Sequence, residues 1–219
     1  MRSVEIFELS DDEEAVDHLG VEIFGLIDPT MDGATIAAII DELPNGANLL
    51  LAPGEYTTPI NIVGKSLSII SYRNTVSFEN NEDYLAAASV FRMHEQTDAA
   101  TPAISWSRGG ARERLFFKVT DIDIHDAAGD GIAVDGASEV VLQNMNIDAA
   151  GRLGDAANPL FAGIHLTNVE QATLFGTIVY ETGFNENNPF RDLSGNPVHG
   201  FDNHGVGLRA ARTAAGPQV

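Results

Sequence analysis

An aspartate and two histidines near the C-terminus are the residues best suited to move a proton. They lie in the run Val198-His199-Gly200-Phe201-Asp202-Asn203-His204-Gly205. Side chains two residues apart on a strand project to the same face. Asp202 and His204 could therefore share a proton and act as general acid and base, with His199 close by. The alternative interpretation is a turn whose histidines only cap backbone groups.

Polar residues that recur in two similar segments, 119–129 and 142–151, suggest a second kind of chemistry. If the segments stack, equivalent residues form ladders with a spacing of about 4.8 Å. The ladders are Asp121 with Asn144, Asp123 with Asn146, and His125 with Asp148 and Tyr180. Carboxylate and amide oxygens are the ligands of Ca²⁺, so the candidate calcium ligands are Asp121, Asp123 and Asp148. No organic cofactor is expected, and the alternative is a ladder that only satisfies its own hydrogen bonds.

The elements that must position these residues begin with a single helix. Apolar residues recur between Ile36 and Leu43 at the spacing of one helix face, and Asp32 precedes them as an N-cap. This pattern predicts a helix over residues 33–43. Residues 1–32 then form a leader segment that contains one short strand.

An internal repeat predicts the fold of the rest of the chain. GIAVDGASEVVLQNMNIDAAG (131–151) and GIHLTNVEQATLFGTIVYETG (163–183) align over 21 residues without a gap. Short strands and tight turns at this period are typical of one coil of a parallel β-solenoid. We therefore predict an all-β, right-handed parallel β-helix of about five or six coils over residues 33–210, with its first coil capped by the helix and a tail at 211–219. A β-sandwich is the competing fold.

The repeat leaves two alignments open for the histidine-containing run. With Gly200 in the place of Gly163, residues 202–204 join His165 in one groove, which makes His165 a further candidate catalytic residue. With Gly205 in that place, the strand packs better and the run lies on a turn. The first alignment favours chemistry and the second favours packing.

Two stretches resemble known β-helix proteins. LPNGANLLLAPGEYTTPINIVGKSLSIIS (43–71) resembles the opening coil of right-handed parallel β-helix proteins of the pectate-lyase type. Residues 199–204 are similar to the Tyr-Gly-Phe-Asp-Pro-His motif of mannuronan C5-epimerases, which invert uronate residues in alginate. The resemblance implies that Asp202 and His204 are catalytic and that His199 stands in the place of the family's tyrosine.

The resemblance implies an enzyme that modifies uronate-containing polysaccharides by removing the proton at C5, either an alginate epimerase or a lyase. Arg152 and Arg191 are the cations that would pair with the uronate carboxylate, because the family's lysine has no evident counterpart. Tyr180 or His199 would be the opposing acid. The rival hypothesis is a non-catalytic β-helix for glycan binding, adhesion or particle attachment.

The charge balance excludes two classes of partner. The chain has 12 Lys and Arg against 32 Asp and Glu, a formal net charge of −20. No basic stripe is available to neutralise a row of phosphates, so neither nucleic acid nor an anionic membrane surface is expected as a partner. No stretch approaches the ~18 consecutive apolar residues of a membrane span.

Location and assembly are predicted from the two ends of the chain. The first 20 residues lack the apolar segment of a cleavable signal peptide, so we expect an extracellular protein exported by another route, with a cytoplasmic protein as the alternative. Few residues follow the last predicted strand. The β-helix is therefore predicted to be incomplete at its C-terminus, with the exposed edge covered by a second copy or by further C-terminal modules.

Overall fold

The computed structural model describes residues 24–71, 88–95, 98, 101–151, 161–180 and 206–212. In chain order its elements are β1 Phe24–Ile27, α1 Gly33–Glu42, β2 Ala47–Leu51, β3 Gly54–Tyr56, β4 Ile60–Val63, β5 Leu67–Ser71, β6 Ser89–Arg92, β7 Ile104–Ser107, β8 Phe116–Thr120, β9 Ile122–His125, β10 Ile132–Asp135, β11 Glu139–Gln143, β12 Asn146–Asp148, β13 Ala162–Thr167, β14 Gln171–Phe175, β15 Ile178–Tyr180 and β16 Val206–Ala211. Within these ranges no helix is both long and apolar enough to cross a membrane.

The strands form three parallel sheets, which the chain visits in strict rotation. Sheet A has the order β1-β2-β5-β8-β11-β14, sheet B has β15-β12-β9-β6-β3, and sheet C has β16-β13-β10-β7-β4. From β2 onward the chain therefore passes through A, B and C five times, and each pass stacks on the previous one. This confirms the predicted all-β fold of stacked parallel strands. The hairpins of a β-sandwich are absent from the described strands.

The strand pairing also confirms the alignment of the internal repeat. The paired residues include Ile132 with Ile164, Val134 with Leu166, Leu142 with Leu174, and Ile147 with Val179. Each pair consists of aliphatic residues at equivalent positions, and in β10 to β13 these positions are the buried ones of an alternating pattern. The similarity of the two segments is thus a similarity of two stacked coils.

The core consists of inward residues that lie directly above one another in successive coils. One row belongs to sheet A and one to sheet C: Leu49, Ile69, Val119, Leu142 and Leu174; Ile60, Ile104, Ile132, Ile164 and Leu208. The first four members of each row are fully buried, which contributes about 1.5–3 kcal/mol per side chain. Leu174 and Leu208, in the last described coil, are 37% and 47% exposed.

The glycine that opens the repeat is required by the close approach of two coils. A Cβ atom at Gly131 would lie 2.7 Å from the carbonyl oxygen of Gly163 and 2.8 Å from Cγ2 of Ile147. No larger residue fits there without moving the backbone of the next coil. Gly131 therefore fixes how closely the turn before β10 approaches β13.

Helix α1 begins where the sequence predicts and ends one residue earlier. The Asp32 side chain accepts a hydrogen bond of 2.8 Å from the backbone N–H of Thr35, and this bond lowers the pKa of the Asp32 carboxyl. Ile36 and Ile40 of the helix are buried in the core. Lys65 donates hydrogen bonds to three carbonyl oxygens at the end of the helix, which satisfies groups that a helix C-terminus leaves unpaired.

Both predicted alignments of the C-terminal run are wrong. Ala162 pairs with Val206 and Ile164 pairs with Leu208, so the residue beside Gly163 is Gly207, not Gly200 or Gly205. Alternation along a strand has a period of two, so it determines which residues face inward but accepts registers that differ by two residues. The sequence pattern alone could therefore not distinguish Gly205 from Gly207 as the residue beside Gly163.

Candidate functional site

The structure describes half of the predicted site residues. His165, Tyr180, Asp121, Asp123 and Asp148 are described, whereas Arg152, Arg191, His199, Asp202 and His204 lie outside the described residues. The proton-transfer role assigned to residues 199–204 therefore stays a prediction.

His165 lies on the outer face of sheet C, in strand β13. Ile164 and Leu166 on either side of it are buried, so His165 and Thr167 project away from the core. Nδ1 of His165 lies 2.9 Å from Oδ2 of Asp130, and the two side chains are 24% and 13% exposed. The partner of His165 is therefore Asp130, which the sequence analysis did not name, and the catalytic role predicted for His165 stays a prediction.

Asp130 is held by two hydrogen bonds. It lies in the turn directly before β10, and its Oδ1 accepts a bond of 2.6 Å from the backbone N–H of Ala162, the first residue of β13. With one oxygen fixed on the strand, the other meets the ring of His165. The carboxylate therefore favours the tautomer with hydrogen on Nδ1, which leaves Nε2 as an unprotonated acceptor.

The free side of the imidazole meets a hydroxyl group. Nε2 of His165 lies 3.3 Å from Oγ1 of Thr167, which is two residues further along the same strand. A carboxylate, an imidazole and a hydroxyl are therefore joined in one line on the outer face of sheet C. We call Asp130, His165 and Thr167 the sheet C cluster.

A cation lies beside this cluster. Arg209 on β16 is the register partner of His165, and Leu208 before it pairs with the inward-facing Ile164. Neighbouring residues of a parallel pair project to the same side, so Arg209 shares the outer face with His165. The pairing with a substrate carboxylate that the sequence analysis assigned to Arg152 and Arg191 stays a prediction, because both residues lie outside the described residues.

The second histidine–aspartate pair lies on the outer face of sheet B. The predicted ladder of His125, Asp148 and Tyr180 is confirmed, because these residues are register partners on β9, β12 and β15. Nδ1 of His125 lies 3.4 Å from Oδ2 of Asp148, and both side chains are about one quarter exposed. Oδ1 of Asp148 is buried and has no hydrogen-bond partner among the described residues.

The three candidate calcium ligands do not come together. Asp123 and Asp148 face outward from sheet B, whereas Asp121 is buried in the preceding turn with a φ of 58°. The described ranges contain no group of three or more His, Asp or Glu side chains that could hold a metal ion. Calcium binding by this protein therefore stays a prediction.

Asp130 and Arg209 were not predicted from the sequence, and the reason differs between them. Asp130 stands one position before the aligned repeat begins, so the comparison of 131–151 with 163–183 did not include it. The alternation of Arg209 with the apolar Leu208 could have identified Arg209 as an outward residue. Its position beside His165 could not be predicted without the strand register. Searches against family models, curated proteins and solved structures found no match to this chain.

Proposed function

We propose that the protein modifies uronate-containing polysaccharides by removing the proton at C5, as an epimerase or a lyase, with His165 as the base. The observation that carries the proposal is the 2.9 Å contact between Asp130 and His165 beside Arg209. The contact fixes the ring so that Nε2 is the acceptor nitrogen, beside the Thr167 hydroxyl on the outer face, and the Arg209 guanidinium supplies positive charge for the carboxylate of an acidic sugar.

The reaction begins with the carboxylate of the sugar. Arg209 pairs with it, which makes the hydrogen at C5 more acidic because the developing negative charge is stabilised. Nε2 of His165 takes that proton, and Asp130 stabilises the resulting imidazolium. Return of a proton to the opposite face gives the epimer, whereas departure of the substituent at C4 gives the unsaturated lyase product.

The partner acid and a second candidate base come from the residues at 199–204. His199 is the proposed opposing acid, because Tyr180 lies on sheet B and His165 lies on sheet C. Asp202 and His204 are the second candidate for the base. A net charge of −20 repels a polyanion at long range, so binding must depend on local cations such as Arg209 or on bridging Ca²⁺.

The remaining parts of the proposal concern the fold and the location. We propose a right-handed β-helix, since parallel strands joined by crossovers are almost always right-handed. We also propose that α1 caps its first coil, since Ile36 and Ile40 join the core and α1 lies against β1 and β4. A polysaccharide substrate is consistent with an extracellular location.

The experiment incubates the protein with alginate and with pectin, each with and without calcium. Ultraviolet absorbance follows unsaturated lyase products, and proton NMR in heavy water follows exchange at C5. His165→Ala should abolish the activity, whereas His125→Ala, the matched change on sheet B, should leave it intact. Activity that survives His165→Ala but is lost in Asp202→Asn and His204→Ala would move the base to the C-terminal run.

A second candidate function is glycan binding without turnover. Ile178 and Tyr180 on the outer face of sheet B are 63% and 40% exposed, and they adjoin Asn146 and Asp148. An exposed ring beside amide and carboxylate groups suits a sugar, whose faces are apolar and whose edges carry hydroxyls. Retention on an alginate or pectin column that is lost in Tyr180→Ala, with no product formed, would favour this function.

A further inference from the structure

The sheet C cluster contains a group that the removal of a C5 proton does not use. Oγ1 of Thr167 lies 3.3 Å from Nε2 of His165, and Nδ1 of the same ring lies 2.9 Å from Oδ2 of Asp130. A hydroxyl that meets an imidazole, which in turn is oriented by a carboxylate, is the arrangement that activates an oxygen nucleophile. Such an arrangement is recognised by its geometry and not by chain order or fold.

Each member of the cluster is held in place by the strands. Asp130 is 13% exposed and is bonded through both oxygens, to the N–H of Ala162 and to His165. His165 and Thr167 alternate with the buried Ile164 and Leu166, so both face outward from β13. Thr167 is β-branched, which restricts its hydroxyl to few rotamers.

The pair on sheet B lacks this third group. Two residues after His125 stands Ala127, which is buried and has no hydroxyl. The separation of His125 from Asp148 is also larger, at 3.4 Å. Both sites therefore pair a carboxylate with an imidazole, and in the part of the chain that the structure describes the hydroxyl in contact with such an imidazole is that of Thr167.

We infer that the sheet C cluster hydrolyses acyl esters, with Thr167 as the nucleophile. Oγ1 of Thr167 attacks the carbonyl carbon of the ester while His165 takes the hydroxyl proton. The bond from that carbon to the alcohol oxygen then breaks, and His165 returns the proton to the departing alcohol. Water, deprotonated by His165, next attacks the acyl carbon. The bond from that carbon to Oγ1 breaks, the carboxylic acid leaves, and His165 returns the proton to Oγ1, which restores Thr167. Asp130 is a positioning residue that stabilises the imidazolium.

The substrate class follows from the surroundings of the cluster. Arg209 lies beside His165 and would pair with a carboxylate close to the ester. An O-acetylated uronate presents both groups, an acetyl ester for Thr167 and a carboxylate for Arg209. This choice of glycan rests on the proposed function, whereas ester hydrolysis by the cluster does not.

The test uses two probes that contain no sugar. The full chain is assayed for hydrolysis of p-nitrophenyl acetate, and a fluorophosphonate probe followed by mass spectrometry locates the reactive oxygen. Thr167→Val keeps the shape of the side chain and removes the hydroxyl. It should lower turnover at least about a hundredfold and abolish labelling of residue 167. Thr167→Ser should retain both because it keeps the hydroxyl, and a circular dichroism spectrum of Thr167→Val equal to that of the natural protein shows that its loss of turnover is not a loss of folding.

Thr173→Val is the matched control, because Thr173 is an exposed threonine on β14, outside the sheet C cluster. It should leave turnover and labelling unchanged. Turnover in Thr167→Val equal to that of the natural protein, or labelling at another residue, would overturn the inference. Thr167-dependent ester turnover without C5 exchange would support this inference and reject the proposed function. C5 exchange without Thr167-dependent ester turnover would reject the inference alone.

Discussion

Two aspartate–histidine pairs lie on two outer faces of the same stack of coils, and they differ in how the carboxylate is held. On sheet B, Asp148 is the register partner of His125, so both side chains extend from strand positions that lie directly side by side. On sheet C, Asp130 comes from a turn and reaches His165 diagonally, at 2.9 Å against 3.4 Å. Both carboxylate oxygens of Asp130 are hydrogen-bonded, whereas Oδ1 of Asp148 is buried and has no partner among the described residues.

A ladder of polar residues on the outer face of a sheet is not by itself a functional site. Residues in register along a face can simply bond to each other, as Ser105 does when its hydroxyl donates to Oδ1 of Asn61 at 2.9 Å. A side chain from a turn can in addition bond to the backbone of the next coil, as Asp130 does by accepting from the N–H of Ala162. We expect function where a turn residue joins a strand residue, and structural hydrogen bonding where two strand residues face each other.

Replacement of Asp130 and of Asp148 by asparagine, one at a time, should give the largest difference between the two faces. In Asp130→Asn the amide oxygen can still accept from Ala162, but the amide nitrogen then faces Nδ1 of His165 and reverses its tautomer. We expect ester turnover and C5 exchange to fall by about 10²- to 10⁴-fold. Asp148→Asn should change both rates by less than about twofold, because that carboxylate orients no group used in the reaction. Equal losses in the two variants would contradict the distinction between the faces.

The next largest effect is expected from a change in the spacing of the two coils that carry the sheet C cluster. Gly131→Ala places a Cβ against the carbonyl oxygen of Gly163 and against Ile147, so the turn that carries Asp130 must move. We expect the free energy of unfolding to fall by about 1–3 kcal/mol. The measurement is guanidinium unfolding followed by circular dichroism.

Gly110→Ala is the control for this variant. A Cβ at Gly110 meets nothing within 4 Å, so its effect on the free energy of unfolding should stay within about 0.5 kcal/mol. The same loss of stability in both variants would show that a general effect of replacing glycine with alanine, and not the contact between coils, is the cause. Ester turnover should fall in the Gly131 variant and not in the Gly110 variant.

The fold was largely predictable because the same packing recurs from coil to coil. Matches such as Ile132 with Ile164 and Leu142 with Leu174 are visible in the sequence, since both coils must fill the same interior with aliphatic side chains. The start of α1 was predictable because Asp32 is a local signal for capping. These features depend on neighbours in sequence or on an exact period.

The candidate site was less predictable because it depends on register and on a turn. The position of Arg209 beside His165 follows from a pairing that alternation leaves open by two residues. Asp130 departs from the repeat, and nothing in its sequence neighbourhood reveals the bond to Ala162 on a strand more than 30 residues later. The sequence analysis found His165 but neither of these two residues.

A smaller effect is expected on the buried side of sheet B, where it tests whether polar groups are more closely hydrogen-bonded there than in the His125–Asp148 pair on the outer face. The hydroxyl of Tyr56 on β3 contacts the carbonyl oxygens of Ala52 at 2.6 Å and Ile27 at 3.0 Å. Tyr56→Phe leaves these buried acceptors without that donor, so we expect a loss of about 1 kcal/mol in the free energy of unfolding. An unchanged free energy of unfolding in Tyr56→Phe would mean that the buried hydrogen bonds of sheet B contribute no more to stability than those on its outer face.

Tyr56 also predicts a dependence on alkaline pH. Burial, assisted by the charge of Asp28, raises the pKa of the Tyr56 phenol above its value in the unfolded chain. The neutral phenol is therefore favoured in the folded state, and its contribution to stability is complete below the unfolded pKa of about 10. That contribution should decline as pH rises through and above this value. Unfolding of Tyr56→Phe, measured over the same range, should lack this component of the pH dependence.

The smallest expected effect concerns the other end of the row on sheet B. Arg92, the register partner of His125, forms an ion pair of 3.0 Å with Glu55, and the two side chains are 41% and 61% exposed. Exposed pairs are screened by water and salt, so a double-mutant cycle with Arg92→Gln and Glu55→Gln should give a coupling energy below about 0.5 kcal/mol. The coupling should shrink further in high salt. A coupling above about 1 kcal/mol that is insensitive to salt would show a tight electrostatic network on sheet B, and the contrast with the sheet C cluster would then fail.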